Sequence, residues 1–248
     1  MQIAEELKVG DVVSANINSA HVFKKYGIDF CCGGGISIQK ACEKKNIDMV
    51  SLLQDLKNLD EKVMPSQNFK NWELDFLIDY IVNTHHVYVK ESLEMLDAYS
   101  SKVARVHGEG HPPVVEIYEW FLAVAEELTA HMQKEELILF PYIKNLVAAN
   151  RAGSSINQPH FGTVQNPITM MENEHEKAGD ILKEIAKISN NYNPPDWACN
   201  TFKALYAKLD EFEQDLHLHV HLENNILFPK AITLEAKLLN LETSGQAN

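Results

Sequence analysis

Apolar residues recur in steps of three and four along four long stretches, roughly 69–103, 113–148, 166–190 and 195–238, and this period predicts four amphipathic helices. No alternating, strand-like pattern of similar strength occurs, so the expected fold class is all-α. Ahead of them, to about Met64, three short helices are expected. Asn18 or Ser19 can cap a segment ending at Gly27, Gly33-Gly34-Gly35 forces a loop, and Asp48 can cap MVSLLQDLKNLDEK. Pro65-Ser66-Gln67-Asn68 reads as a linker between a small helical N-terminal domain, 1–66, and a four-helix bundle, 67–248. The bundle connections are a tight Gly/Pro turn at 105–113, a long polar crossover at 149–167 and a break at Asn190–Pro195.

Polar residues interrupt the apolar stripes at particular places. Phe121, Val124, Leu128, His131, Glu135 and Leu139 form one stripe, and Leu205, Leu209, Phe212, Leu216, His219, Glu223 and Leu227 another. Residues four apart share a helix face about 6 Å apart along the axis, so each His-x-x-x-Glu pair points one way. In the third helix His175 lies in line with Ile168, Met171, Ala178, Leu182 and Ile185. In the first, His85 falls with Ile78, Ile81, Tyr88 and Ser92, whereas His86 falls with Asp79, Asn83 and Lys90. The period therefore predicts His85 inward and His86 outward. His217 and His221 could form a zinc-type His-x-x-x-His face, but they align with Asp210, Glu213, Gln214 and Asn224 and are expected to face solvent.

The two Glu-containing stripes belong to a repeat. HMQKEELILFP (131–141) and HVHLENNILFP (219–229) share H-x-x-x-E-x-x-I-L-F-P at an offset of 88 residues (219 − 131), and His85 and His175 are 90 apart (175 − 85). Two copies of a helical hairpin, each with a lone His and a His-x-x-x-Glu pair, follow from this. Buried carboxylates without a partner cost several kcal/mol, at roughly 2–7 kcal/mol even for a neutral polar group. A cation is the economical partner for two carboxylates beside four imidazoles. Six N and O donors exceed what one tetrahedral zinc needs, and a dinuclear iron or manganese site fits best. The spacing differs from the Glu-x-x-His pattern of ferritin-like bundles.

Composition narrows the partners. A formal charge of −13 over 248 residues argues against a sequence-independent grip on nucleic acid or on anionic membranes. The N-terminus lacks the basic and apolar regions of a signal peptide, and no apolar run reaches membrane-spanning length, so a cytoplasmic, soluble protein is expected. The four cysteines, Cys31, Cys32, Cys42 and Cys199, are too sparse for a disulfide scaffold; Cys42 and Cys199 look structural.

These residues resemble the iron-sulfur-cluster repair di-iron proteins, or repair-of-iron-centres proteins, which have a hemerythrin-like domain. YGIDFCCGGG (26–35), HHVYVKE (85–91), EELTAHMQKEELILFP (126–141), MENEHEKAG (171–179) and HLENNILFP (221–229) carry the likeness over nearly the whole chain. The resemblance implies a hemerythrin-like four-helix bundle holding two irons, with His85, His131, His175 and His219 as terminal ligands. Glu135 and Glu223 would bridge the irons together with an oxo or hydroxo group. It also implies roles near the metals for Glu174 and for Glu127, which reads equally as part of a surface helix face, and it departs at Tyr88, where some relatives carry His and whose hydroxyl either approaches the site or packs. Cys31 and Cys32 match its small N-terminal domain; adjacent cysteines do not readily pair with each other, so they read as thiols for iron or cluster handling, redox exchange or nitrosation, or as small packing residues before a glycine turn. The implied function is repair of iron-sulfur proteins damaged by nitric oxide or oxidants, through iron donation or nitric oxide processing, in a protein that is not a conventional enzyme beyond a nitric oxide reductase-like activity. Homodimerisation is a further family expectation. The alternative is a hemerythrin-type carrier or sensor of oxygen or nitric oxide; iron storage fits poorly.

Overall fold

The computed structural model describes residues 3–60, 68–157 and 159–245, with the side chains described up to position 239 apart from that of position 60. Eleven α-helices occur among them. They are α1 Val9–Ala15, α2 Ser19–Lys25, α3 Ile38–Lys45, α4 Met49–Asp60, α5 Leu74–Tyr80, α6 Val87–His107, α7 Pro113–Lys134, α8 Phe140–Ala152, α9 Gln165–Ile188, α10 Asn200–Leu222 and α11 Phe228–Gly245. Among the described residues no strand occurs, only a single bridge between Lys8 and Ser37. The linker expected at 65–68, and with it the domain boundary, falls mostly at 65–67, outside the described residues.

Among the described residues, three π-helical turns punctuate the long helices: Ile81–His86, Glu135–Leu139 and Glu223–Leu227. Each contains or begins with a residue of the polar stripes, and the last two sit 88 residues apart like the sequence repeat. A π turn inserts one residue into the α period and is frequent at functional sites. This explains a departure in the first long helix. The stripe Leu74, Ile78, Ile81, His85 gives way after the turn to His86, Val89, Leu96, Ser100, Val103, so both His85 and His86 are buried. The expectation that His86 faces solvent fails because the α period does not continue through Ile81–His86.

The chain divides into two compact units. One comprises Asp79–Tyr142 and His160–Leu216 and contains α6, α7, α9 and most of α10. Its core is the expected set of stripes: Phe121, Val124, Leu128, Ile168, Met171, Leu182, Ile185, Leu205, Leu209 and Phe212 are all at most 3% exposed. Each such Leu, Ile or Phe contributes roughly 1.5–3 kcal/mol through burial, before the entropy of ordering the chain is subtracted. The helices are tied at their edges as well, by Tyr118 to Asp97 (3.3 Å) and Tyr88 to Glu211 (2.7 Å).

The other unit comprises Met1–Ile78, Ile143–Pro159 and His217–Asn248. Here α1 to α4 form, one helix more than the sequence pattern predicts: α1 begins without a side-chain cap and carries Gly10 in its first turn, which hides it from a cap-based reading. The Asp48 cap does form, with its carboxylate accepting from the Val50 and Ser51 amides at 3.3 and 3.2 Å. Val9, Val12, Phe23, Ile38, Leu52 and Leu56 make the small core. Against the turn Glu223–Leu227, Asn225 enters a slot between the backbones of Gly10 and Gly34. A Cβ on Gly10 would lie 2.4 Å from Asn225 Oδ1, so a side chain there would displace Asn225 from the slot.

Candidate metal centre

Within the unit built from α6, α7, α9 and α10, one carboxylate is the focus. Glu135, fully buried at the start of its π turn, has its Oε2 at 3.3 Å from His131 Nε2 and 3.4 Å from His86 Nε2. His175 Nε2 lies 2.9 Å from His131 Nε2. The donor atoms of His131, Glu135 and His175 all lie within 4.8 Å of one another. Imidazole nitrogens converging on a carboxylate in an apolar core are a donor set for a borderline divalent cation.

The outer edges of the rings are fixed by a second set of carboxylates. His131 Nδ1 donates to Glu174 at 2.9 Å, His86 Nδ1 to Glu136 at 2.8 Å, and His85 Nδ1 to Asp215 at 3.0 Å. A carboxylate that accepts the Nδ1–H hydrogen bond fixes the tautomer, turns the Nε2 lone pair inward and makes it more basic. Lys134 in turn holds Glu174, and Lys90 holds Glu136 at 2.9 Å. Burial pushes both carboxyls up, but hydrogen bonds from the lysine and the histidine outweigh it and leave each below its ordinary value. They stay anionic.

In the other unit His219 and Glu223 repeat the motif, with His219 Nε2 at 3.1 Å from Glu223 Oε1 and both residues buried. His221 does not face solvent as expected. It is fully buried, with Ser14 Oγ at 3.3 Å, Asn225 Nδ2 at 3.3 Å and the Phe30 ring at 5.9 Å, and burial lowers it to about 4, so it is neutral. His217 is half-buried beside Phe30. His221 is covered by Ser14 of α1 and by the Phe30 ring, which period alone does not reveal.

His85 is buried but turns toward Asp215 and Tyr80, and it is His86 that reaches Glu135. Glu174 supports His131. Glu127 is exposed on α7 and does not join the buried carboxylates. The Tyr88 hydroxyl turns to Glu211 and accepts from Lys208 at 3.0 Å, so it packs at the helix edge. Cys31 and Cys32 lie in the N-terminal loop, buried and exposed respectively, and all four cysteines are free. Sequence reasoning missed His86, Glu136, Asp215 and Asn225. The only available signals were the adjacent histidines and the paired Glu135-Glu136.

Fold and site define a helical-bundle cation-binding protein of the hemerythrin class. The hemerythrin HHE cation binding domain matches residues 77–231, and a domain of unknown function, DUF542, matches 5–60. The chain is 36% identical over 224 residues to the iron-sulfur cluster repair protein YtfE of Yersinia pseudotuberculosis, covering 90% of this chain and 96% of that protein. It is 36% identical to YtfE of Musicola paradisiaca, over 93% and 98% of the two chains. To the iron-sulfur cluster repair protein ScdA of Staphylococcus haemolyticus it is 32% identical, over 92% and 99%. The chain belongs to this family of iron-sulfur cluster repair proteins with a hemerythrin domain. No helix among the described residues is long and apolar enough to cross a membrane.

Proposed function

We propose that this protein repairs damaged iron-sulfur clusters from a carboxylate-bridged pair of irons held by His86, His131, Glu135, His175, His219 and Glu223. Five of these ligands follow from the polar stripes; His86 takes the place expected of His85. The observation that carries the reading is Glu135, buried between the Nε2 atoms of His86 and His131 while Glu136 and Glu174 hold the opposite edges of the rings. The 88-residue repeat supports an equivalent role for His219 and Glu223. When bound, two irons would supply exchangeable ferrous iron and a redox couple for nitric oxide or oxygen. The protein's own groups do the rest. Glu174 and Glu136 keep the imidazoles in the metal-binding tautomer, and the apolar stripes exclude water from the carboxylates.

In this reading the clients are iron-sulfur proteins damaged by nitric oxide or oxidants in the cytoplasm, and the division into an N-terminal module, 1–66, and a bundle, 67–248, separates client or product handling by Cys31 and Cys32 from iron binding. Two measurements test it. Iron analysis with Mössbauer spectroscopy should find two coupled irons in the wild type and lose the coupling in His219→Ala; a single zinc would reject the centre. Iron-loaded protein should restore activity to a cluster enzyme inactivated by nitric oxide. Failure there, together with a stable reversible oxygen adduct, would point to a carrier instead.

A further inference from the structure

The loop Asp29–Gly34 brings two thiols and a carboxylate to one place, apart from the histidine and glutamate ligands. The donor atoms of Asp29, Cys31 and Cys32 all lie within 4.8 Å of one another, and Cys31 Sγ is 3.2 Å from Asp29 Oδ1. Thiolates about 2.3 Å from a tetrahedral ion sit roughly 3.8 Å apart, so small side-chain rotations close the set around one ion.

Local chemistry holds the donors in position. Asp29 Oδ1 accepts from the amides of Cys31 and Cys32, both at 3.0 Å, which fixes the turn. A Cβ on Gly34 would come within 2.3 Å of the Phe30 carbonyl, so glycine is needed for the chain to fold back there. Asn225 donates to the Cys31 carbonyl at 2.9 Å, and Asn224 Nδ2 lies 4.0 Å from Cys32 Sγ. The pair is pre-organised, as a binding site requires and as packing before a turn does not.

We infer that Asp29, Cys31 and Cys32 form a labile site for one divalent transition-metal ion of the ferrous type, held by two thiolates and one carboxylate. Binding releases the two thiol protons to solvent and forms two metal–sulfur bonds, with no change of oxidation state. The Cys31 thiol is otherwise kept protonated by its hydrogen bond with Cys32, by burial and by the Asp29 charge, which makes it a poor free nucleophile. Cys32 is exposed and Asp29 half-buried, so three protein donors leave a position open to water or to an accepting ligand. Closed four-thiolate sites retain their metal; an open one exchanges it. A role as a way station for iron rests on the iron-donation reading above, whereas the site itself does not.

The test uses full-length, iron-loaded protein, reduced and titrated anaerobically with cobalt(II). A thiolate-to-cobalt charge-transfer band is expected in the wild type and is lost in Cys31→Ser/Cys32→Ser, with bundle iron unchanged. Asn in Asp29→Asn still accepts both amides but lacks the charge, and should weaken cobalt binding by on the order of tenfold. No band in the wild type, or a band that survives the double substitution, overturns the site; unchanged affinity in Asp29→Asn overturns the carboxylate ligand. Iron loss in His219→Ala with the cobalt band intact would instead concern the bundle centre.

Discussion

The two copies of H-x-x-x-E-x-x-I-L-F-P share a backbone and differ in what surrounds it. Both begin a π turn on the glutamate, Glu135 and Glu223, and both place it 3.1–3.3 Å from the histidine four residues earlier. Position 136 is Glu, which holds His86, whereas its counterpart is Asn224, beside Cys32. Position 137 is Leu, 75% exposed; its counterpart Asn225 is clamped between Gly10 and Gly34. Gln133, exposed, corresponds to His221, fully buried against Ser14 and Phe30. In the proposed centre the His and Glu positions of both copies would bind metal, which accounts for their repetition. The positions beside them differ, one set meeting a second histidine and the other the cysteine loop.

The largest expected effect breaks the part the copies share. Glu135→Gln and Glu223→Gln should each cost at least one iron per chain by metal analysis; full occupancy in either would remove that carboxylate from the centre. In the first copy His86→Ala should lose iron while His85→Ala keeps it, and the reverse result would restore the simple helical register. Next come the positions that differ. Glu136→Gln should lower metal affinity about 10–100-fold in a competition titration by loosening His86. Unchanged affinity would remove Glu136 from the support of that ring.

The third comparison concerns stability. Asn225→Ala leaves the buried Cys31 carbonyl without its amide donor and should cost about 1–3 kcal/mol in urea unfolding; Leu137→Ala, exposed, should stay within about 0.5 kcal/mol. The smallest effect is electrostatic and separates the Asn225 clamp from the general charge of its unit. Arg151 pairs with Asp75 at 2.6 and 3.0 Å, and its hydrogen bonds hold the Asp75 carboxyl below its ordinary 3.8. The depressed carboxyl contributes stability that is present above pH 3.8 and is lost as pH falls through the lower folded value. Both partners are partly exposed, so Asp75→Asn should remove under about 1 kcal/mol near neutrality and nothing at the acid end.

Much of this was legible in the sequence. The four long helices, their apolar stripes and the burial of His131, Glu135, His175, His219 and Glu223 follow from the α period, because a residue in line with Leu and Phe has nowhere else to point. The repeat named both carboxylates. What the period could not carry was any place where the period changes. At Ile81–His86 a π turn adds one residue, and the inward histidine that meets Glu135 becomes His86. His221 and Asn225 were hidden for a different reason: their partners lie in α1 and the Phe30 loop, 194 to 207 residues away in sequence, and long-range packing leaves no local pattern. The nearby carboxylates, Glu136, Glu174 and Asp215, are polar residues on otherwise wet faces, and only the fold turns them toward a histidine. The sequence by itself determined an all-α chain with a repeated His and Glu core. The tertiary structure decided which carboxylate meets each of His85, His86 and His131 and where the cysteine loop rests, because those choices depend on contacts between segments that no helical period links.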